Sequence, residues 1–320
     1  MPLVIGVDEA GYGPNLGPLV IAATAWHVPN WPVDWYGQLA DCVCREPGDA
    51  EHKLLLADSK TAYRATGDLT LLENAVLALA QLLPGMFVPQ ANQFLTRLQS
   101  AGFPEPQTFA PAEFFDDPSL QLPTTTSLCG IGRHAERLQA GLGREQFQLL
   151  ALAARIIPPA EFNALLRRHE NKGSLLSAST LQLVERLLPL HEDDVQIFCD
   201  RHGGRAYYAG LIQQFLTSDF VQVVSESPQR SCYRWQSGSR QHQIHFSVGG
   251  ESELPAAAAS MIAKYVRELL MGNWNRFWRR HDATLRPTAG YPVDAKRFLR
   301  EIRGIQSQLA IRDELVWREK

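Results

Sequence analysis

The sequence lacks the patterns of a disulfide-stabilised, zinc-binding or membrane-spanning protein. Its five cysteines are an odd number, and no two of them form a Cys-x-x-Cys pair. Free thiols in a reducing compartment are therefore expected. No apolar run approaches the roughly 20 residues that a transmembrane helix needs. Because no basic region precedes the first apolar residues, no secretory signal is predicted, and a cytoplasmic protein without a membrane partner is expected.

The chain has almost no net charge, but its charge is unevenly distributed. Residues 1–200 contain 13 basic and 23 acidic residues, whereas residues 201–320 contain 18 basic and 11 acidic residues. The carboxyl-terminal part is therefore the candidate anion-binding face. An apolar content of 45% over 320 residues predicts one large globular domain, or one domain with an elaboration.

The densest basic stretch alternates with aromatic residues. Such a mixture suits phosphate contacts combined with stacking on sugars or bases. The alternative is a pair of solvated helices whose aromatic side chains pack inward. The residues concerned are Lys264, Arg267, Arg276, Arg279, Arg280, Arg286, Lys296, Arg297, Arg300 and Arg303, with Trp274, Phe277, Trp278 and Tyr291 between them.

The most informative motif spans residues 6–14 and reads Gly-Val-Asp-Glu-Ala-Gly-Tyr-Gly-Pro. A short apolar segment over residues 2–7 precedes Asp8 and Glu9, so a buried strand is predicted to end in two adjacent carboxylates. Catalytic groups at strand ends recur in α/β enzymes, and this pattern favours a metal-binding site.

Two other interpretations compete with a metal site. Gly11, Gly13 and Gly17 loosely imitate a phosphate-binding loop. That pattern needs a helix after its glycines, whereas Pro14 and residues 17–22 predict an antiparallel return strand. The second alternative is an acidic turn that only caps the strand.

A third acidic position, Asp200, also follows a predicted strand, at residues 195–199. Glu251 and Glu253 stand just before a helix predicted over residues 256–271, with Pro255 in its first turn and Gly272 ending it. A meander of strands is predicted at residues 220–224, 232–236 and 241–248, and helical spacing predicts helices at residues 69–83, 146–157 and 174–188.

Residues 84–123 contain seven prolines and few periodic runs, which is typical of an inserted loop or small subdomain. We therefore predict a catalytic domain over residues 1–272 with an insertion at about 84–128. A basic helical extension over residues 273–320 is expected to pack on it.

The acidic positions gain a specific chemistry if they converge at one edge of a sheet. Carboxylates packed together repel, so such a cluster persists by binding protons or divalent cations. Hard oxygen ligands favour Mg²⁺ or Mn²⁺, and two such ions about 4 Å apart suit phosphodiester hydrolysis. Because neighbours in a strand point to opposite faces, either Asp8 or Glu9 must use local twist or its backbone carbonyl.

Taken in order, these motifs resemble those of the ribonuclease HII and HIII family. They span most of the chain, and the first and the Ala-Ser-x-x-Ala-Lys segments are the most specific. The matching segments are residues 6–14 with Gly17-Pro18, Asp58-Ser59-Lys60, the strand end at Asp200, Gly-Gly-Glu-Ser at 249–252, Ala-Ala-Ala-Ser-Met-Ile-Ala-Lys at 257–264 and Gly290-Tyr291-Pro292.

The resemblance implies a ribonuclease H-like α/β fold, in which a mixed sheet is flanked by helices, and cleavage of the RNA strand of RNA/DNA hybrids. It implies that Asp8, Glu9, Asp200 and Glu251 bind two Mg²⁺ or Mn²⁺ ions, and no obligate protein partner is evident. The positions that match substrate contacts are Gly11, Tyr12, Gly13, Lys60, Ser260, Lys264 and Tyr291, the last against the ribose.

Three departures from the family pattern leave alternatives open. Tyr12 replaces the arginine of the usual Gly-Arg-Gly, so weak selectivity for a single embedded ribonucleotide is expected. Glu251 replaces an aspartate with a spacing one residue short, so Glu253 competes as the fourth ligand. Arg-His-Gly-Gly follows Asp200. The alternative functions are a nuclease acting on other DNA or RNA structures and a nucleic-acid-binding protein without catalysis.

Overall fold

The computed structural model describes residues 2–100, 114–115 and 117–319. Seven of its strands form one mixed sheet, and the two short strands β3 and β4 pair separately. The strands span Leu3–Ala10 (β1), Leu19–His27 (β2), Val43–Cys44 (β3), Leu54–Leu55 (β4), Gln148–Ile157 (β5), Val195–Asp200 (β6), Gln222–Glu226 (β7), Arg230–Ser237 (β8) and Arg240–Ser247 (β9).

The strand order in the large sheet is β5-β2-β1-β6-β9-β8-β7. β1, β6 and β9 run parallel to one another at its centre, and the outer strands pair antiparallel with their neighbours. The predicted return strand and the predicted meander are both present. The mixed sheet is therefore confirmed, and its parallel centre brings the carboxyl ends of three strands to one edge.

Helices cover both faces of this sheet, which confirms the predicted α/β class and the helical carboxyl-terminal region. None of the helices in the described ranges combines the length and apolar content needed to cross a bilayer. The helices span Trp35–Gln38 (α1), Ser59–Thr66 (α2), Thr70–Gln81 (α3), Ala91–Ser100 (α4), Leu128–Glu145 (α5), Pro159–Leu166 (α6), Lys172–Leu187 (α7), Ala209–Phe215 (α8), Leu254–His281 (α9) and Pro292–Gln308 (α10).

β1 is apolar on both sides because both of its faces are covered. Leu3, Ile5 and Val7 pack into a core that includes residues of α7 and α8. Val4 points the other way, into a core shared with α3, α5 and α9. Since side chains alternate along a strand, the five consecutive apolar or glycine positions from Leu3 to Val7 place β1 between two helical layers.

α9 lies directly against β1 and β2, and this contact requires a glycine. A Cβ atom on Gly6 would overlap the backbone of Pro255 and Ala256. The hydroxyl of Thr24 donates a hydrogen bond to the carbonyl of Pro255, 2.8 Å away. The amino-terminal end of α9 is thereby fixed on the two strands that carry and follow the acidic pair.

Two predicted elements are wrong. Residues 148–157 form β5, because an apolar run fits a buried strand as well as a buried helix and here it pairs with β2. The helix is α5, which precedes that run. α9 does not end at Gly272 but continues to His281, because packing of its second half outweighs the small helix propensity cost of one glycine. The helix therefore passes through the predicted domain boundary at 272/273.

The predicted insertion is tied to helices α3 and α9 by one buried carboxylate. Glu73 of α3 accepts hydrogen bonds from the backbone N–H groups of Thr124 (2.7 Å) and Thr125 (2.6 Å) and from the Tyr265 hydroxyl (2.7 Å). Burial raises the pKa of Glu73, but these hydrogen bonds outweigh that effect, so its pKa lies below the usual value. Residues 101–113 and 116 of the predicted insertion lie outside the described residues.

The aromatic residues of the basic stretch pack inward. Trp274 and Trp278 are fully buried and Phe277 is nearly so, in a third core shared with Phe298 and Ile302 of α10. Stacking of these three rings on nucleic acid is therefore excluded, and the alternative of inward packing is correct. Tyr291 differs, since more than half of it is exposed.

We predict that His245 makes stability depend on pH. Burial and the nearby Arg230 lower the pKa of His245 to about 4, against about 6.5 in an unfolded chain. Between these two pKa values the His245 imidazole is protonated in the unfolded chain and neutral in the folded one. The free energy of unfolding is therefore highest above about pH 6.5 and decreases as the pH falls towards 4. Between pH 7 and pH 5 the expected loss is about 2 kcal/mol.

Urea unfolding of wild type and His245→Phe at both pH values measures this difference. The variant keeps a ring against Phe198, which stacks on His245, and should lose about 2 kcal/mol less than wild type. Replacement of the exposed His52 by Phe is the control. Equal pH dependence in all three proteins would contradict the assignment.

Candidate metal centre

Parallel pairing of β1 and β6 brings acidic residues from distant parts of the chain together. Val7 of β1 stands opposite Cys199 of β6, so Asp8 and Asp200 follow at the same edge of the sheet. The carboxylate oxygens of Asp8, Glu9 and Asp200 offer ligand atoms that lie within 4.8 Å of one another. These three residues are called the acidic cluster from here on.

The acidic pair converges although its members are neighbours in a strand. Asp8 is buried, and its Oδ1 accepts a hydrogen bond from the backbone N–H of Glu9 at 2.7 Å. This bond turns the Asp8 carboxylate along the strand towards its neighbour. Local side-chain orientation therefore brings both carboxylates to one place.

The backbone of the predicted fourth ligand lies beside this cluster. Glu251 is in a 3₁₀ turn over Gly250–Ser252, and the N–H of Gly250 lies 3.4 Å from Asp200 Oδ1. A Cβ atom on Gly250 would come within 3.1 Å of the Asp200 backbone, so the turn approaches the end of β6 closely. The Glu251 side chain lies outside the described part of the structure.

Glu253, the competing assignment, is directed elsewhere. It does not belong to the acidic cluster as far as the described residues define it. Burial raises its pKa, and the nearby charges of Arg230 and Arg45 oppose that rise. Glu253 occupies the N-cap position of α9 without a side-chain capping hydrogen bond, and its cationic neighbours do not favour metal binding with Asp8.

The donor set of the acidic cluster fits a hard divalent cation. All its ligand atoms are carboxylate oxygens, which Mg²⁺ and Mn²⁺ prefer over softer metals. The described residues also place a second group of possible ligands together, His27, His191 and Asp193. That group contains two imidazoles, so its chemistry differs from that of the acidic cluster.

The loop between β1 and β2, residues 11–18, lies next to the acidic cluster and is called the glycine loop from here on. Gly11 has φ +88°, a conformation that favours glycine, and a Cβ there would meet the carbonyl oxygen of Pro18 at 2.6 Å. Tyr12 is partly buried beside Gly203. Burial and the charge of Glu9 raise the pKa of Tyr12, and Arg205 partly offsets them.

The buried side chain of Arg318 supports this loop through hydrogen bonds to its carbonyl groups. The Arg318 side chain is fully buried, and its Nη2 donates to the carbonyls of Gly11 (2.7 Å) and Pro14. Its backbone N–H donates to the carbonyl of Asn15 at 2.8 Å. The guanidinium also lies 4.8 Å from the ring centroid of Phe162, a cation–π contact.

A second buried arginine lies on the α9 side of the same loop. A Cβ on Gly11 would meet Arg267 Nε at 2.5 Å, and Arg267 Nη2 donates to the carbonyl of Ala289 at 2.9 Å. Burial and the charge of Arg267 lower the pKa of Arg318 to about 9. The loop therefore rests on two guanidinium groups that repel each other.

The other residues expected near substrate have different surroundings. Lys60 is exposed in the first turn of α2, and Tyr291 is exposed near Gly13. Ser260 is buried, and its hydroxyl donates to Ser59 at 3.1 Å. Lys264 forms an ion pair with Glu268 at 2.6 Å. Ser260 therefore joins α9 to α2, whereas Lys60 and Tyr291 face solvent.

The sequence pattern gave no role to Arg318 or Arg205. Arg318 lies at the end of the chain, outside every motif, and only the tertiary structure places it under the glycine loop. Arg205 follows Asp200 by five residues, and its Nη2 donates to Ser174 Oγ at 2.8 Å. Its closeness to a strand-end acid was the one available signal.

No protein family model matches the chain, and no curated protein matches it. The chain is similar to the solved structure of ribonuclease H2 from Pyrococcus horikoshii, with 14% identity over 98% of this chain and 92% of that chain and a TM-score of 0.42. It is also similar to ribonuclease H3 from Aquifex aeolicus, with 14% identity over 98% of this chain and 71% of that chain and a TM-score of 0.40.

A further similar structure is Bst-RNase HIII in complex with Mn²⁺, with 15% identity over 99% of this chain and 66% of that chain and a TM-score of 0.40. Likenesses with such low identity and TM-scores below 0.5 do not assign the chain to a family. The function is therefore inferred from the chain's own residues.

We predict that Arg318→Met lowers the free energy of unfolding by about 2 kcal/mol, because the carbonyls of Gly11 and Pro14 lose a charged donor. Urea unfolding measures the change. The matched control is Arg312→Met, which removes an exposed arginine paired with Glu314 at 2.8 Å and should cost less than about 1 kcal/mol. Equal losses in both variants would contradict a supporting role for Arg318.

Proposed function

We propose that the protein is a metal-dependent endoribonuclease that cleaves the RNA strand of RNA/DNA hybrids. The observation that carries the proposal is the convergence of Asp8, Glu9 and Asp200 within 4.8 Å at the ends of two parallel strands. Three carboxylates so close together repel one another unless a cation or proton is bound. The glycine loop lies beside them, where a nucleic-acid strand would have access.

Asp8, Glu9, Asp200 and Glu251 would hold two Mg²⁺ or Mn²⁺ ions in this proposal. When bound, such ions activate water and stabilise the leaving oxygen in phosphodiester hydrolysis. The protein's own contribution is to hold its carboxylates in place, and the hydrogen bond from the Glu9 N–H to Asp8 does so. The contact of Gly250 with Asp200 keeps the turn that carries Glu251 at the same edge.

Substrate contacts are proposed for the residues around the acidic cluster. The exposed ring of Tyr291 offers a surface for a ribose, and the exposed Lys60 offers a cation for phosphate. Gly11 and Gly13 allow a strand to approach the loop closely because they lack side chains. Ser260 and Lys264 stay proposed substrate contacts on α9, where Ser260 donates to Ser59 of α2 and Lys264 Nζ lies 4.5 Å from the ring centroid of Tyr63.

A nuclease acting on other DNA or RNA structures is the second candidate, because Tyr12 supplies a single hydroxyl where a guanidinium would supply several donors. A binding protein without catalysis is disfavoured, since binding alone gives no reason to keep three repelling carboxylates together. The five cysteines are all free thiols, which suits the cytoplasmic location proposed here.

We predict that Asp8→Asn and Asp200→Asn each reduce hybrid cleavage at least about 100-fold, because each removes a charged ligand from the acidic cluster. Folding should be retained, and stability should not fall, since one repelling charge is lost. Cleavage of a labelled hybrid with Mg²⁺ or Mn²⁺ measures the effect, and circular dichroism checks the fold.

The control for these variants is Asp41→Asn, which removes an exposed carboxylate paired with Arg144 at 3.5 Å and should leave cleavage unchanged. All-DNA duplex and duplex with one embedded ribonucleotide are tested in parallel. Wild-type cleavage by folded Asp8→Asn would refute the metal site. Cleavage of all-DNA duplex at the rate of the hybrid would favour the second candidate.

Tyr12 is predicted to set the preference between substrates. The Tyr12 ring lies beside Gly203 and offers one hydroxyl. An arginine offers several fixed donors. Continuous hybrid should therefore be cleaved better than duplex with one embedded ribonucleotide, and Tyr12→Arg should shift that ratio towards the latter. The ratio of the two kcat/KM values is the measurement.

Tyr12→Phe separates the ring from its hydroxyl and serves as the control for this substitution. It should leave the ratio closer to wild type than Tyr12→Arg does. Efficient cleavage at a single ribonucleotide by wild type, unaltered in Tyr12→Arg, would place recognition elsewhere.

A further inference from the structure

A cavity of about 1000 Å³ opens beside the acidic cluster, between the glycine loop and the first turn of α7. Tyr12 and the segment after β6, which contributes His202, Arg205 and Tyr207, form one wall, and Lys172 lies on the other. The volume is at the upper end of the roughly 300–1000 Å³ that small-molecule sites span. A nucleotide therefore fits within it.

The cavity adjoins the acidic cluster through the glycine loop. Two residues of the lining follow the cluster closely in the chain, since Tyr12 comes three residues after Glu9 and His202 two residues after Asp200. Their Cα atoms therefore lie within about 11 Å of those of the acidic residues. A strand with one phosphate at the acidic cluster would bring a neighbouring nucleotide to this cavity.

The cations of the cavity wall suit a phosphate group. Arg205 is held by its hydrogen bond to Ser174 Oγ at 2.8 Å, which fixes the guanidinium at the first turn of α7. Arg167 lies 3.4 Å from Glu319, so these two rim charges offset each other. Glu170 is a further acidic residue of the lining, and Arg205 and Lys172 outnumber it.

The wall that carries Arg205 is held in place by its own hydrogen bonds. The carbonyl of Arg205 accepts hydrogen bonds from Arg201 Nε (2.8 Å) and the Tyr208 hydroxyl (3.2 Å). The N–H of His202 donates to the same hydroxyl at 3.1 Å. Burial lowers the pKa of His202 to about 3, so its ring is neutral at pH 7 and adds no charge to the cavity.

An exposed aromatic ring stands at the same cavity. Tyr207 is 70% exposed although it lines the wall, so its face is open. The bases of a hybrid are paired inside the duplex, so the group of the strand that can pack on this face is a ribose. The cavity thus combines a fixed guanidinium with an aromatic surface.

We propose that this cavity binds a nucleotide of the substrate strand, next to the nucleotide at the acidic cluster. Its phosphate would contact Arg205 and Lys172, and its ribose would lie against Tyr207. The proposal rests on the proposed function for the identity of the strand. The binding chemistry itself is that of a nucleoside phosphate, which a free nucleotide shares.

The test is the affinity of the full chain for a short fluorescein-labelled RNA/DNA hybrid, measured by anisotropy in EDTA so that no cleavage occurs. Arg205→Ala should weaken binding about tenfold and lower the magnitude of the slope of log K against log salt by about 1. Arg205→Lys keeps the charge and should keep the slope. Circular dichroism verifies that both variants fold.

Tyr207 provides an independent measurement at the same site. Tyr207→Ala should weaken binding about tenfold without changing the slope of log K against log salt, because packing of a neutral ring on the ribose involves no charge. Tyr207→Phe keeps the ring and should bind like wild type. Arg144→Ala removes an exposed arginine outside the cavity lining and is the control for net charge.

Wild-type affinity and slope in Arg205→Ala, equal to those of Arg144→Ala, would overturn the proposal. Competition by AMP that depends on Arg205, with unchanged hybrid affinity in Arg205→Ala, would assign the cavity to a free nucleotide and overturn it as well. Hybrid binding that depends on Arg205, without cleavage by wild type, would refute only the proposed function. Normal cleavage without Arg205-dependent binding would refute only this inference.

Discussion

The parallel pairing of β1 with β6 is the constraint on which the candidate site depends. It sets Leu3 opposite Val195 and Val7 opposite Cys199, and the register leaves Asp8 and Asp200 together where the apolar pairs stop. Both faces of β1 are buried under helices, and a shift of one residue would place a side chain instead of Gly6 against the backbone of Pro255 and Ala256. Core packing thus fixes the spacing of the carboxylates.

The close approach of α9 extends this constraint to the turn that carries Glu251. Gly6 allows the backbone of Pro255 to contact β1, and the hydroxyl of Thr24 binds the carbonyl of Pro255. The turn before α9 is therefore held near the end of β6. This edge of the sheet is built from three separate chain segments that one helix holds together.

The glycine loop is held by charge as well as by packing. Burying Arg267 and Arg318 beside each other costs free energy, because both lose water and repel. Carbonyls of the loop and of residue 289 accept hydrogen bonds from them and offset part of that cost. The guanidinium of Arg318 thereby holds the glycine loop, although Arg318 follows Gly11 by 307 residues.

The sequence by itself determined β1, β6, the meander and the strand-end acids, because short apolar runs, alternation and turn residues are local signals. It failed at β5, where the period of a longer apolar run does not distinguish a buried strand from a buried helix, and at the end of α9, where packing of Trp274 and Trp278 overrides Gly272. Local pattern cannot reveal which surface a side chain will meet.

Only the tertiary structure decided which charges surround the site. It placed Arg318 against Gly11, put Glu253 within reach of the charges of Arg45 and Arg230, and brought Arg205 and Tyr12 to the lining of one cavity. Each of these contacts joins residues far apart in the chain, with no shared period or motif. Their positions follow from how the helices and the sheet pack, which no single segment of sequence encodes.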